Sequence, residues 1–131
     1  MFFMTLLILI PIVAIIITFV SRYNILCEPN DFIFNYSAKT KYATKEHSYK
    51  FRVKRVGSGY RCYIEHTPSF RGKSTANYMP HYWVETSTGK HYVCWTGKIQ
   101  YAEQAKTLCR NWADATQIFI DTGIPAPGFE R

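Results

Sequence analysis

Four histidines and four cysteines are the residues of this 131-residue chain that could carry covalent or metal chemistry. They are Cys27, Cys62, Cys94, Cys109, His47, His66, His81 and His91. No CxxC pair occurs, so the spacing typical of zinc ribbons and dithiol redox centres is absent. The nucleophile-elbow, Walker, dinucleotide-binding and HExxH sequences are absent as well.

A Cys–His catalytic pair is the one enzymatic arrangement that the spacing leaves open. His66 and His81 bracket a long polar stretch and could meet near the thiol of Cys62 or Cys94. Both cysteines follow the apolar alternation of their neighbours, however, and a cysteine that faces a core is usually an inert small side chain. The sequence therefore favours a protein with no catalytic residues, no cofactor and no metal.

A basic surface is the first candidate binding site. Lysine, arginine and tyrosine alternate with apolar residues over 49–66, and the predicted basic sheet face comprises Lys50, Arg52, Lys54, Arg61 and Tyr63. Successive side chains of a strand point to opposite sides, so these five would share one face. Cations interleaved with an aromatic ring suit phosphate contact and base stacking. The solvated face of an ordinary antiparallel sheet carries the same residues, so both interpretations stay open.

A long loop at 67–81 is the second candidate binding site. It is rich in Pro, Gly, Ser and Asn, and loops of this length in small domains usually have a function or are mobile. Its basic and aromatic contact residues are Phe70, Arg71, Lys73 and Tyr78.

Two β-hairpins would position these residues. Period-two alternation over 49–56 and 60–66 flanks Gly57-Ser58-Gly59, and a second pair of short runs flanks a turn at 86–90. The preceding interval, 24–48, is predicted to be a linker. Within it Phe32, Phe34 and Tyr36 alternate, which indicates either a short strand or a hydrophobic plug.

The period changes to that of a helix at 99–120. The apolar stripe comprises Tyr101, Ala105, Leu108, Trp112, Ala115 and Phe119, and the opposite side carries Glu103, Lys106, Arg110, Asp114 and Gln117. Gly123 is a typical residue for the end of a helix. These signals predict an α+β domain over 49–123, an antiparallel β-meander of about four strands covered by one C-terminal amphipathic helix, with an extended tail at 124–131.

The first 23 residues predict a single transmembrane helix ahead of this domain. Residues 2–20 contain no charge, and a helix of that length spans roughly 29 Å, close to the hydrocarbon thickness of a bilayer. A cleaved signal peptide would need a basic start and a shorter apolar run. A core helix is disfavoured because all sides of the segment are apolar. The sequence therefore predicts a single-pass membrane protein.

The charge distribution predicts the topology and the state of the cysteines. The chain carries a formal net charge of +7, and its first cation is Arg22, followed by Lys39 and Lys41. The positive-inside rule then predicts a cytoplasmic domain with reduced thiols. In an oxidising compartment, the predicted bridges are Cys62–Cys94 or Cys94–Cys109.

These properties favour a non-enzymatic membrane protein. Its small basic domain would bind a partner as an accessory or structural subunit of a larger membrane or envelope assembly. The alternative is a membrane-tethered nucleic-acid-binding module that uses the basic sheet face. Besides the bilayer and other subunits, anionic lipid is a further candidate partner for a basic surface, and an oligomer is compatible with the sequence.

Overall fold

The computed structural model describes residues 28–38, 40, 47–73 and 82–128. The predicted anchor at 1–23 lies outside these ranges, as does Tyr78 of the long loop. Among the described residues, none of the helices combines the length and the apolar character that a membrane crossing requires.

The described residues form an antiparallel five-stranded sheet followed by one helix, which confirms the predicted α+β class. The elements are β1 (Asp31–Ala38), β2 (His47–Val56), β3 (Gly59–His66), β4 (Tyr82–Val84), β5 (His91–Val93) and α1 (Ala102–Thr122). The order across the sheet is β1-β2-β3-β5-β4.

Two features of the sheet differ from the predicted four-stranded meander. The interval predicted to be a linker contains β1, a regular eight-residue edge strand whose register pairs Phe34 with Phe51 and Tyr36 with Tyr49. In addition β5, rather than β4, lies next to β3, through the pairing of Tyr63 with Tyr92. In a simple meander a short connection joins each strand to its neighbour in the sheet. The long loop between β3 and β4 removes this constraint, so the second hairpin can place β5, rather than β4, next to β3.

The first hairpin has a tighter turn than the sequence indicates. Val56 pairs with Gly59, so Gly57 and Ser58 alone form the turn, and Gly57 has a φ of 62° that favours glycine. Gly59 begins β3 instead, where a Cβ atom would approach the carbonyl oxygen of Ile99 to 3.1 Å.

Trp112 lies at the centre of the core between α1 and the sheet. Its ring meets Tyr49 and Phe51 edge to face, at centroid distances of 6.2 and 5.9 Å. All three side chains are buried, together with Val53 and Cys62 of the same sheet face. Aromatic pairs in this geometry add to the stabilisation that comes from burial alone. The stripe around Trp112 is therefore a packing surface for the sheet.

The helix is buried differently from the predicted stripe at both ends. Tyr101 precedes α1 and is exposed, although the stripe places it in the core. Gln117, predicted on the solvent side, is fully buried, and its side-chain oxygen accepts a hydrogen bond of 2.8 Å from the Tyr49 hydroxyl. The Tyr36 hydroxyl similarly donates to Asp114. Polar residues of α1 thus accept hydrogen bonds from tyrosine hydroxyl groups of β1 and β2. The hydrophobic periodicity of the helix cannot reveal such contacts with distant strands.

Trp112→Ala should lower the free energy of unfolding by about 3–5 kcal/mol, because it empties a large volume at the centre of the core. The matched control is Trp83→Ala, which removes the same side chain from a position that is 57% exposed and should change stability by about 0.5 kcal/mol or less. Urea unfolding of the detergent-solubilised chain, followed by circular dichroism, measures both. Equal effects of the two substitutions would contradict the central role of Trp112.

Candidate functional site

The structure brings the five residues of the basic sheet face together, as the alternation predicts. Lys50, Arg52 and Lys54 of β2 lie on the side opposite α1. Arg61 and Tyr63 lie beside them on β3, in a register that pairs Lys54 with Arg61 and Arg52 with Tyr63. The face is therefore continuous across the two central strands.

Three of its four cations are engaged by carboxylates that the sequence analysis did not assign to it. Arg52 donates to both oxygens of Asp31, at 2.9 Å each, and Arg61 lies 2.8 Å from Glu85. Lys50 pairs with Glu65 at 3.4 Å. The hydrogen bond from Arg52 holds the pKa of the Asp31 carboxyl below its usual value. The predicted open cationic surface is thus a face of alternating charges.

Tyr63 lies on the predicted face but is not open to solvent. It is 8% exposed, its ring packs edge to face on Tyr92, and its hydroxyl donates to Glu85 at 2.8 Å. Thr88 donates to the other Glu85 oxygen, and the Arg61 guanidinium lies 4.5 Å from the centroid of Tyr92. Tyr63 of β3 therefore holds the second hairpin in place through Tyr92 and Glu85. Because its ring is buried by these contacts, it is not available to stack with a base.

Among the described residues, Lys54 of this face and the neighbouring Lys90 lie outside the three ion pairs. With Arg52 they line a cavity of about 440 Å³ that opens over β2 and β3. Both lysines contribute to the lowered pKa of Asp31. The positive potential of the face is therefore concentrated at its end near Asp31.

The described part of the long loop serves the fold. The Lys73 ammonium donates to the carbonyl oxygen of Ile120 in the last turn of α1, where a cation also complements the helix dipole. The backbone N–H of Lys73 donates in turn to Phe70, at 3.0 Å. Arg71 is exposed and has a φ of 52°. Of the four predicted contact residues, Lys73 thus has a structural partner, and Tyr78 lies outside the described residues.

Two exposed tryptophans form a surface that the sequence analysis missed. Trp83 of β4 and Trp95 after β5, here called the tryptophan surface, are 57% and 59% exposed. Trp83 and Trp95 line one cavity of about 480 Å³, and Trp95 also borders a cavity of about 550 Å³ that reaches Leu108 and Trp112 of α1. The available signal was the pair Trp83-Val84, because two adjacent apolar residues of a strand must point to opposite sides.

The three described cysteines, Cys62, Cys94 and Cys109, are free thiols. Cys62 and Cys109 are both buried, and the Cys62 thiol donates to the carbonyl oxygen of Ala105, one turn before Cys109, at 3.6 Å. A hydrogen bond with the Cys62 thiol, together with burial, raises the pKa of Cys109 far above its usual value. The bridges Cys62–Cys94 and Cys94–Cys109, named for an oxidising compartment, stay predictions, whereas the neighbouring thiols in the structure are those of Cys62 and Cys109.

The described residues do not assemble a metal site from histidine, cysteine, aspartate or glutamate, since no three of these side chains come together. His47 lies 4.0 Å from Asp121, and His81, the expected partner of His66, lies outside the described residues. Comparison with known protein families, with curated proteins and with solved structures found no match. The site has to be interpreted from its own geometry.

In the folded, reduced protein, alkylation should label Cys94 and spare Cys62 and Cys109. Cys94 is partly exposed, whereas the other two thiols are buried, and the raised pKa of Cys109 further disfavours its reactive thiolate. Peptide mass spectrometry after labelling identifies the sites, and alkylation in denaturant is the control. Labelling of Cys62 or Cys109 without denaturant would contradict this arrangement.

The ion pairs of the basic sheet face should make stability depend on acid pH. Hydrogen bonds from Thr88 and then Tyr63 lower the pKa of Glu85 in the folded state. Its stabilisation is therefore complete above the unfolded value of about 4.3 and is lost as the pH falls through the folded value. Glu85→Gln should flatten the loss of stability between neutral and acid pH, measured by urea unfolding at several pH values.

The matched control for that experiment is Glu103→Gln on α1. Glu103 pairs only with Lys106 and is largely exposed, whereas Glu85 has three donors. A larger pH effect from Glu103→Gln than from Glu85→Gln would contradict the importance of the network on the basic sheet face.

Proposed function

We propose that this chain is a non-enzymatic single-pass membrane protein whose small domain binds another protein. It would act as an accessory or structural subunit of a larger membrane or envelope assembly, with the domain in the cytoplasm. The apolar, uncharged stretch at 2–20 supports the membrane attachment. The absence from the sequence of a recognisable reaction-centre motif supports a binding role.

The observation that carries the proposal is the neutralisation of the basic sheet face. Binding of nucleic acid draws much of its affinity from free cations, each of which displaces a condensed counterion from a phosphate. Here Lys50, Arg52 and Arg61 already have carboxylate partners. A phosphate backbone would have to compete with these carboxylates and would also be repelled by them. A face of alternating charges instead suits an equally mixed protein surface, where it gives orientation and specificity.

The tryptophan surface supports a protein partner independently. Tryptophan is enriched among the residues that dominate the energy of protein interfaces, and it acts best where it enters a pocket and loses water. Trp95 lines three cavities and remains more than half exposed. We therefore assign the docking role to the tryptophan surface and the orienting role to the basic sheet face.

The alternative is the membrane-tethered nucleic-acid-binding module. It is favoured by Lys54 and Lys90, which flank the cavity over β2 and β3 outside the three ion pairs. Two such cations would give a shallow dependence of affinity on salt, since the slope follows the number of phosphates neutralised.

Substitution of the two surfaces in the full-length chain separates these functions. Trp83→Ala with Trp95→Ala should reduce the recovery of partner subunits after cross-linking in native membranes, measured by mass spectrometry. Lys54→Glu with Lys90→Glu, which leaves the three ion pairs intact, should have little effect on that recovery. The full chain in zwitterionic nanodiscs should not bind DNA or RNA tightly at physiological salt. Tight binding that is lost in the lysine double variant would overturn the proposal in favour of the alternative.

A further inference from the structure

The outer edge of β1 is a row of unpaired backbone groups within the described part of the chain. β1 is the terminal strand in the sheet order, with β2 on its other side. The carbonyl oxygen of Asn30 accepts a hydrogen bond from Arg55, so even-numbered residues of this ladder bond to β2. In an antiparallel ladder the intervening residues direct their N–H and C=O groups the other way. Ile33, Asn35 and Ser37 therefore offer theirs to a further strand.

The side of β1 that faces α1 carries half-buried aromatic rings beneath a row of charges. Phe32, Phe34 and Tyr36 pack only partly against the core. Arg110 lies over Phe34 at 5.2 Å from the ring centroid, and the Tyr36 hydroxyl donates to Asp114 at 3.0 Å. Lys106 lies over Phe32 in the same way, at 5.7 Å, so the helix places positive charges above positions 32 and 34 and a negative charge above position 36.

We propose that two copies of this chain pair through β1, antiparallel and with Asn35 opposite Asn35, so that their two sheets become one. The outward groups of Ile33 would then bond to those of the partner's Ser37, and the two Asn35 residues would bond to each other. Each facing pair of this kind exchanges two backbone hydrogen bonds. Phe34 would lie against the partner's Tyr36, which removes half-exposed aromatic surface from water.

Charge selects this register over its neighbours. With Asn35 on the two-fold axis, Phe34 faces Tyr36, so each Arg110 lies beside the Asp114 of the partner subunit. Centring the axis on Phe34 would oppose the two Arg110 side chains, although it would also bring each Lys106 beside the partner's Asp114. Centring it on Tyr36 would oppose the two Asp114 side chains. Like charges in such positions are destabilising. Registers that pair odd with even positions would mismatch both the faces and the hydrogen-bonding groups.

The occupant is a second copy because the edge is complementary to itself. Of the three charges above its rings, Arg110 and Asp114 are of opposite sign and symmetric about Asn35, so one two-fold operation satisfies both. The edge also lacks the usual devices against such pairing, since β1 contains no proline and no lysine and is eight residues long.

Cysteine substitution at the axis tests the register in the full-length chain with Cys27 and Cys94 replaced by serine. In Asn35→Cys the two new residues would face each other about 5.5 Å apart between Cα atoms, within the range that a disulfide spans. In Ile33→Cys the corresponding atoms would be about 13 Å apart, at four residues' separation along the strands. Mild oxidation in detergent should convert most of the Asn35→Cys protein, and little of the Ile33→Cys protein, to a covalent dimer.

A proline at the same position tests the interface without a cross-link. Asn35→Pro deletes an N–H group that points to the edge, so the bonds between β1 and β2 remain. Light scattering of the detergent-solubilised protein should give two chains per particle for the unchanged sequence and for Asn35→Ala, and one for Asn35→Pro. A monomer in the unchanged protein, a dimer that survives Asn35→Pro, or equal cross-linking at positions 33 and 35 would each overturn the proposal. The cross-linking result decides by itself if the proline variant does not fold.

Discussion

The edge-to-face contact of Trp112 with Tyr49 and Phe51 is the interaction on which the rest of the described structure depends. It fixes one face of the sheet as the inner face, because the one ring of Trp112 packs against two rings of β2. Every charged residue of the basic sheet face is then directed to the opposite side by alternation alone. The small core consequently determines where binding groups can lie, although its own members are buried.

A second set of interactions closes the domain from its two ends. Glu28, just before β1, accepts hydrogen bonds from the backbone N–H of Ala102 at the start of α1 and from the Tyr60 hydroxyl. At the other end Thr40 donates to Asp121 in the last turn of α1. A carboxylate at the start of a helix also complements the helix dipole. β1 is therefore aligned with the helix along its whole length, and this alignment places Arg110 and Asp114 above its outer edge.

Much of the fold could be predicted from the sequence, because the spacing of apolar residues within each segment indicates the first hairpin and the helix. The alternation over 49–66 and the stripe around Trp112 each identify an element without knowledge of its neighbours. β1 was open to two interpretations, since its pairing partner lies beyond the interval at 39–46. The order of β4 and β5 could not be read, because it depends on the path of the long loop rather than on the strands themselves.

The candidate site was less predictable than the fold, for a related reason. Alternation placed Lys50, Arg52, Lys54, Arg61 and Tyr63 on one face, and the structure has them there. Their carboxylate partners come from a strand that precedes them, from the end of β3 and from the turn of the second hairpin. Counting the cations of one segment does not show that carboxylates from other segments form ion pairs with them. Burial of Tyr63 by Tyr92 is hidden in the same way, because it follows from the inward position of β5.

The alignment of β1 with α1 also sets the order of events during synthesis. Ala38 ends the first strand, whereas the helix that covers it ends at Thr122. At ribosomal speeds of about 5–20 residues per second, roughly 4–17 s separate the two. Throughout that interval the rings of Phe32, Phe34 and Tyr36 have no helix above them. The first strand to be synthesised is thus the last to have its aromatic rings covered by the helix. Until translation is complete, the nascent chain depends on chaperones or on rapid hairpin formation to keep these rings from other contacts.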